Sequence, residues 1–103
     1  MQSGLSKEQL VEVLGLGAIN APMFQMKGPA MCKGSFPTAF PLKHQQKDLR
    51  LALSLGDRLE QPLPVASAAN QLFVSARERG HGDDDFSAVL TAVMAQMAAQ
   101  SRQ

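Results

Sequence analysis

The sequence predicts an all-α chain, and three observations carry that expectation. No stretch of useful length alternates apolar and polar residues as a half-buried strand would. Apolar residues recur instead at three- and four-residue spacing. Gly and Pro residues then divide the chain into blocks of helical length.

The first block is expected to start at Ser6, where Ser6-Lys7-Glu8-Gln9 has the form of a capping box and Leu5 can act as its staple. Leu10, Val11, Val13 and Leu14 form its apolar face, and Gly15 and Gly17 are expected to stop it. Ala18 to Ala39 is the irregular stretch. Asn20-Ala21-Pro22 can cap a short helix carrying Met23, Phe24, Met26 and Lys27, with Gly28-Pro29, Gly34 and Pro37 read as loop. The third block is the clearest. Pro41 fits a first turn, the helix is expected to reach about Leu55 before Gly56, and Leu42, Gln46, Leu49, Ala52 and Leu53 lie on or near one face. The fourth block opens at Pro62 or Pro64 and is expected to run to Arg79, with Gly80 just beyond. Its Val65, Ala66, Ala68, Ala69, Leu72, Phe73 and Ala76 suit close helix packing. Asp83-Asp84-Asp85 precede the fifth block and suit the positive end of a helix dipole. Phe86, Val89, Leu90, Val93, Met94 and Met97 trace its stripe, and the tail after Ala99 is expected to fray.

Composition bounds the function. The 103 residues suggest one domain or part of one, and 45% hydrophobic content is that of a folded chain. All five aromatic residues are Phe, so Leu, Val, Ala and Met must build the core. A net charge of +1 provides no general drive toward nucleic acid or an acidic membrane. No apolar run approaches the ~20 residues that span a bilayer. Met1-Gln2-Ser3-Gly4 lacks the basic flank and apolar run of a signal peptide. A single cysteine, Cys32, excludes an internal disulfide and reads as a buried, inert thiol.

Candidate chemistry concentrates on the third block. Lys43, Lys47 and Arg50 at i, i+4 and i+7 make one cationic stripe, able to meet phosphate or carboxylate groups or simply to face solvent. Asp48 is expected to point one turn back toward His44. His44 has an ordinary pKa range suited to acid–base work, yet a lone His on a polar helix face usually serves no catalysis. His81 lies in a Gly-flanked loop. The three aspartates lack the spacing and closing Glu of an EF-hand, which favours helix capping. Gly15-Leu16-Gly17 follows a helix and lacks a third Gly, so it is no dinucleotide fingerprint.

One long run is more specific. Asn20-Ala-Pro-Met-Phe, Lys27-Gly-Pro and Phe40-Pro-Leu-Lys-His-Gln-Gln-Lys-Asp-Leu-Arg-Leu-Ala-Leu-Ser-Leu-Gly-Asp57 resemble the β-hydroxyacid dehydrogenases. Pro64-Val-Ala, Ala69-Asn70 and Asp85-Phe-Ser-Ala-Val continue the likeness, which covers about Gly4 to Val93. Lys47-Asp48-Leu49 followed by Leu-Ala is shared with 3-hydroxyisobutyrate dehydrogenases. The longer Phe40-to-Asp48 run is similar to the plant-type glyoxylate/succinic semialdehyde reductase branch.

The resemblance implies the fold of a helical C-terminal domain like that of 6-phosphogluconate dehydrogenase-like enzymes. It implies an NADP-dependent oxidoreductase that passes hydride to a small aldehyde, with a Rossmann domain holding NADPH and a long connecting helix donating the proton through a Lys. Lys47 would then approach the cofactor, Asp48 would line the substrate side, and Phe40 would close the pocket with an apolar wall. The sequence contains no Gly-rich strand-turn-helix unit and no proton-donating Lys helix. Residues 1–103 therefore read as a partial helical domain without its Rossmann partner, inactive alone and with no catalytic residue or metal ligand of its own. Its compartment, cytoplasmic or organellar, stays open. Two rival readings also stand: a non-enzymatic helical module that pairs with itself or with a full-length homologue, and a small nucleic-acid-binding domain, which the charge disfavours.

Overall fold

A computed structural model describes residues 3–100, which form five α-helices. Among the described residues no strand forms beyond one isolated antiparallel bridge between Pro41 and Asp85. The chain divides into two compact units, residues 1–36 and 37–103. The signal-peptide reading at Met1 and Gln2, and the fraying expected of residues 101–103, lie outside the described residues.

The first unit is a helix pair. In α1, Lys7–Leu16, the Ser6 side chain accepts from the Gln9 N–H at 3.0 Å, as a capping box requires. Gly15 does not stop this helix but lies inside it, and Gly17 follows the last turn. The second helix, α2, spans Pro22–Lys33 and is longer than the short helix expected from the sequence. It begins with Pro22 at its first position, so Asn20 lies too far back to cap it. Asn20 instead accepts from the Gln25 side chain at 3.1 Å. Gly28 and Pro29, read as loop, are helical. Gly28 lies against Val11, where a Cβ would come within 3.0 Å of the valine, so its missing side chain lets α1 and α2 pack closely. The end of α2 is set by Gly34, whose left-handed φ of 68° allows Gly34 and Ser35 to donate to the carbonyls of Met31 and Ala30. No residue of α1 or α2 is fully buried, and Val13, Leu16, Ile19 and Met26 are exposed.

The second unit packs α3 (Leu42–Arg58), α4 (Pro64–Ala76) and α5 (Leu90–Gln100). Its fully buried apolar residues are Leu42, Ala76, Ala88 and Ala92. They come from the start of α3, the end of α4, the turn before α5 and the start of α5, so the core lies where these ends converge. Three alanines there allow the backbones to approach closely. On the inner face of α3, buried Gln46 follows Leu42, Leu49 and Leu53 are half-buried, and Ala52 is exposed despite its position near the apolar stripe. Gln46 is not left bare. It donates to Asn70 at 3.1 Å and accepts from Arg77 at 2.8 Å, tying α3 to α4 and to the turn after it.

Two helix ends differ from expectation. The α3 helix passes through Gly56 and ends at Arg58. Gly56 is buried because the following turn folds back over it, with Gln61 N–H donating to its carbonyl at 2.8 Å. The turn places Glu60 at φ 56°, the left-handed position usually filled by Gly. Glu60→Gly is expected to raise stability by about 1 kcal/mol, read as a higher urea midpoint at unchanged slope. The α4 helix ends at Ala76, earlier than Arg79, and widens into a π-type turn over Arg77–His81 with Gly80 at φ 96°. Among the described residues no helix is long and apolar enough to cross a membrane.

Candidate functional site

The candidate site lies at the start of α3, where a loop forty residues away completes the helix. The first N–H groups of an α-helix lack partners within it. Here the Leu42 N–H donates to the Asp84 carbonyl at 2.8 Å and the Lys43 N–H to the Gly82 carbonyl at 2.9 Å. Pro41 stands at the cap position without a side chain that can serve. The same loop brings Asp83 to 2.6 Å from the Lys43 ammonium. The hydrogen bond and charge of Lys43 lower the Asp83 pKa from its ordinary value. Thr38 joins the loop through a 2.8 Å hydrogen bond to the Asp83 carbonyl, and His81 Nδ1 lies 2.8 Å from Asp84.

Asp85 is the centre of this arrangement and is 1% exposed. One carboxylate oxygen accepts from the N–H groups of Ala39 (3.0 Å) and Phe40 (3.1 Å). The other accepts from the Ser87 N–H at 3.1 Å and the Ser87 hydroxyl at 2.5 Å. Asp85 thus caps the 3-10 turn Phe86–Val89 that leads into α5, as the capping reading of the aspartate run expects. Burial opposes its ionisation. The hydrogen bonds from Ser87, Phe40 and Ala39 outweigh that and hold the carboxyl well below the ordinary carboxylate range.

Phe40 is held at both ends of its peptide unit. Its N–H meets Asp85, and its carbonyl accepts from the Phe86 N–H at 2.9 Å. Its ring, 38% exposed on the surface, packs edge-on to Phe86 at 6.4 Å and tilted against His44 at 6.2 Å between centroids. Further along the outer face of α3, Lys47 and Asp48 pair at 3.1 Å with side chains 45% and 49% exposed. The structure therefore joins Lys47 to Asp48 and stations Phe40 at the head of the same helix, beside His44. The ion-pair partner of Asp48 is thus its neighbour Lys47. The cationic stripe is likewise partly neutralised, by Asp83 on Lys43 and Asp48 on Lys47, while Arg50 faces solvent.

Other singled-out residues have plainer surroundings. Cys32 is half-buried in the first unit, not enclosed as expected. A shallow groove of about 330 Å³ lies at the opposite end of α3, lined by Leu53, Asp57, Gln61, Leu63, Pro64 and Ser67. It holds none of Phe40, Lys47 and Asp48. Asp85, Ser87 and Phe86 were not legible as site residues in the sequence. Their signals were the aspartate run, whose third member does the clamping, and the Asp85-Phe-Ser-Ala-Val segment of the family likeness.

The family model described as NAD-binding of NADP-dependent 3-hydroxyisobutyrate dehydrogenase matches residues 1–93. Glyoxylate/succinic semialdehyde reductase 1 of Arabidopsis thaliana is 60% identical over 89% of this chain and 32% of its own length. The chloroplastic reductase 2 of the same plant is 55% identical over 97% of this chain and 27% of its own. The crystal structure of a 3-hydroxyisobutyrate dehydrogenase from Salmonella typhimurium superimposes with a TM-score of 0.81 at 30% identity, over 87% of this chain and 32% of that one. The chain thus spans about a third of the length of these relatives.

Proposed function

From the premise that the chain belongs to the family of NADP-dependent 3-hydroxyisobutyrate dehydrogenases, we infer that it forms one wall of the active site of an NADP-dependent reductase of glyoxylate and succinic semialdehyde. The observation that carries this reading is the 60% and 55% identity to two reductases of those aldehydes. NADPH would supply the hydride. The chain's own residues bind and shape. Lys47 presents an ammonium to the anionic dinucleotide from an exposed helix face, where its present partner Asp48 is itself half-exposed and easily parted from it. Asp48 lines the substrate side and Phe40 closes the pocket as an apolar wall that excludes water from the carbonyl. Lys47 fits a cofactor contact, but it is one contact. The cradle for the dinucleotide and the proton donor belong to the rest of a complete enzyme, so the isolated chain is expected to leave NADPH unoxidised.

The test is a chimera in which this chain replaces the matching third of the Arabidopsis reductase 1. It is expected to oxidise NADPH with either aldehyde. Lys47→Met is expected to raise the KM for NADPH about tenfold or more, the loss of one charge-assisted contact. Phe40→Ala and Asp48→Ala are expected to lower kcat/KM for the aldehyde about tenfold and leave the NADPH KM alone. A folded chimera without turnover, or three variants with unchanged kinetics, counts against the reading.

A second reading, a non-enzymatic interaction module, is favoured by the exposed Val13, Leu16, Ile19 and Met26 of the first unit. Sedimentation of the purified chain tests it: a monomer that melts cooperatively speaks against an obligate partner.

A further inference from the structure

We propose that Asp85 is a positioning residue for the substrate pocket, one that sets the pose of the Phe40 ring by clamping the backbone of residues 39 and 40 onto the turn before α5. The proposal rests on the reading of Phe40 as the apolar wall. Phe40 precedes α3, so the helix ladder does not hold it. Its position comes from elsewhere in the chain: Asp85 Oδ1 accepts from both the Ala39 and Phe40 N–H groups, and the Phe86 N–H closes the other side on the Phe40 carbonyl. Asp85 is in turn immobilised by Ser87 through its second oxygen. The antiparallel bridge between Pro41 and Asp85 continues the clamp by one residue.

The backbone that carries the ring cannot shift without breaking charge-assisted hydrogen bonds to a buried carboxylate, so the point from which the ring projects is fixed and its χ rotamer is then set against Phe86 and His44. The wall is thereby preorganised, and a small aldehyde need not order it on binding. Asp85 itself does not touch the substrate in this scheme. It is 1% exposed and acts through Phe40. The ring partners Phe86 and His44 then act on a ring whose backbone is already fixed.

The test reads ring pose on this chain and aldehyde use on the chimera with the Arabidopsis reductase 1. Nuclear Overhauser contacts of the Phe40 ring to Phe86 and His44 report the pose, and kcat/KM for succinic semialdehyde reports the pocket. Asp85→Asn keeps the shape but presents an amide that cannot accept from both sides. It is expected to weaken the Phe40 ring contacts and to reduce kcat/KM about tenfold. Ser87→Ala and Phe86→Leu leave the Asp85–Phe40 bond in place and are expected to stay within about twofold of the unsubstituted chimera. If Asp85→Asn is unfolded at the working temperature, Asp85→Glu takes its place, since it keeps the charge but carries it one methylene further. Unchanged ring contacts or unchanged kcat/KM in the Asp85 variant overturns the proposal, as does an equal loss in Phe86→Leu. A folded, active chimera whose kcat/KM for the aldehyde ignores Phe40→Ala overturns the pocket-wall reading itself, and this role with it.

Discussion

Asp85→Ala is expected to cost the second unit about 3–5 kcal/mol, enough to unfold much of a domain this small at ambient temperature. The substitution removes a carboxylate that accepts four hydrogen bonds and leaves the N–H groups of Ala39, Phe40 and Ser87 without their acceptor. The buried Ser87 donors forfeit hydration as well as their bonds, and Ala39 and Phe40 each lose a charge-assisted bond, which is why the loss exceeds that of one surface contact. Urea unfolding followed by circular dichroism measures it. The same carboxylate makes stability depend on acid. Its pKa in the folded chain lies below its ordinary 3.8, so the unfolded chain takes up the proton first. Its contribution is complete above about pH 5 and is lost as the pH falls through the acid range toward and below 2. The wild-type midpoint should therefore fall on acidification, and the Asp85→Ala midpoint should fall less steeply. A substitution with no effect at neutral pH would mean that the clamp is not formed.

Gly56→Val is expected to cost about 3 kcal/mol, at the upper end of overpacking effects. A Cβ at this position would lie 2.9 Å from the Gln61 carbonyl oxygen and 2.9 Å from Leu63 Cδ1. The first of these is backbone, in a turn already bent by the left-handed Glu60, so it has little room to withdraw. Valine adds two methyl groups to that clash. Gly15 provides the contrast within one experiment. A Cβ there meets the far end of the flexible Gln25 side chain, at 2.9 Å from its Nε2. Gly15→Ala is thus expected to be neutral or to gain up to about 1 kcal/mol from helix propensity. Thermal melts of the two variants should shift in opposite directions, or at least differ by several degrees. A mild Gly56→Val would show that the 59–63 turn is free to open.

How much of this was legible depends on the range of the interactions involved. Ser6 and its bond to Gln9 and Pro22 at a helix start are local devices, and the residue types announce them, whereas Gly34, read as loop, ends a helix that runs further than expected. The boundaries that surprised share a cause. Gly15, Gly28 and Gly56 look like breakers in a string of letters, yet each is helical. At Gly28 and Gly56 the missing side chain makes room for a neighbour. Glu60 takes the left-handed site of the turn, because the turn's return over α3 outweighs the strain at one residue.

The candidate site divides the same way. By itself the sequence determined an all-helical chain and, through the run from Phe40 to Asp57, its family, because helix periodicity and a long specific motif are both written in consecutive residues. Only the tertiary structure decided that Asp85 would hold Phe40, that Asp83 would neutralise Lys43 and that the Gly82 and Asp84 carbonyls would start α3. Those contacts join positions about forty or more residues apart. They follow from the unpaired N–H groups at a helix start and a buried carboxylate needing donors, demands that only the folded chain can bring together.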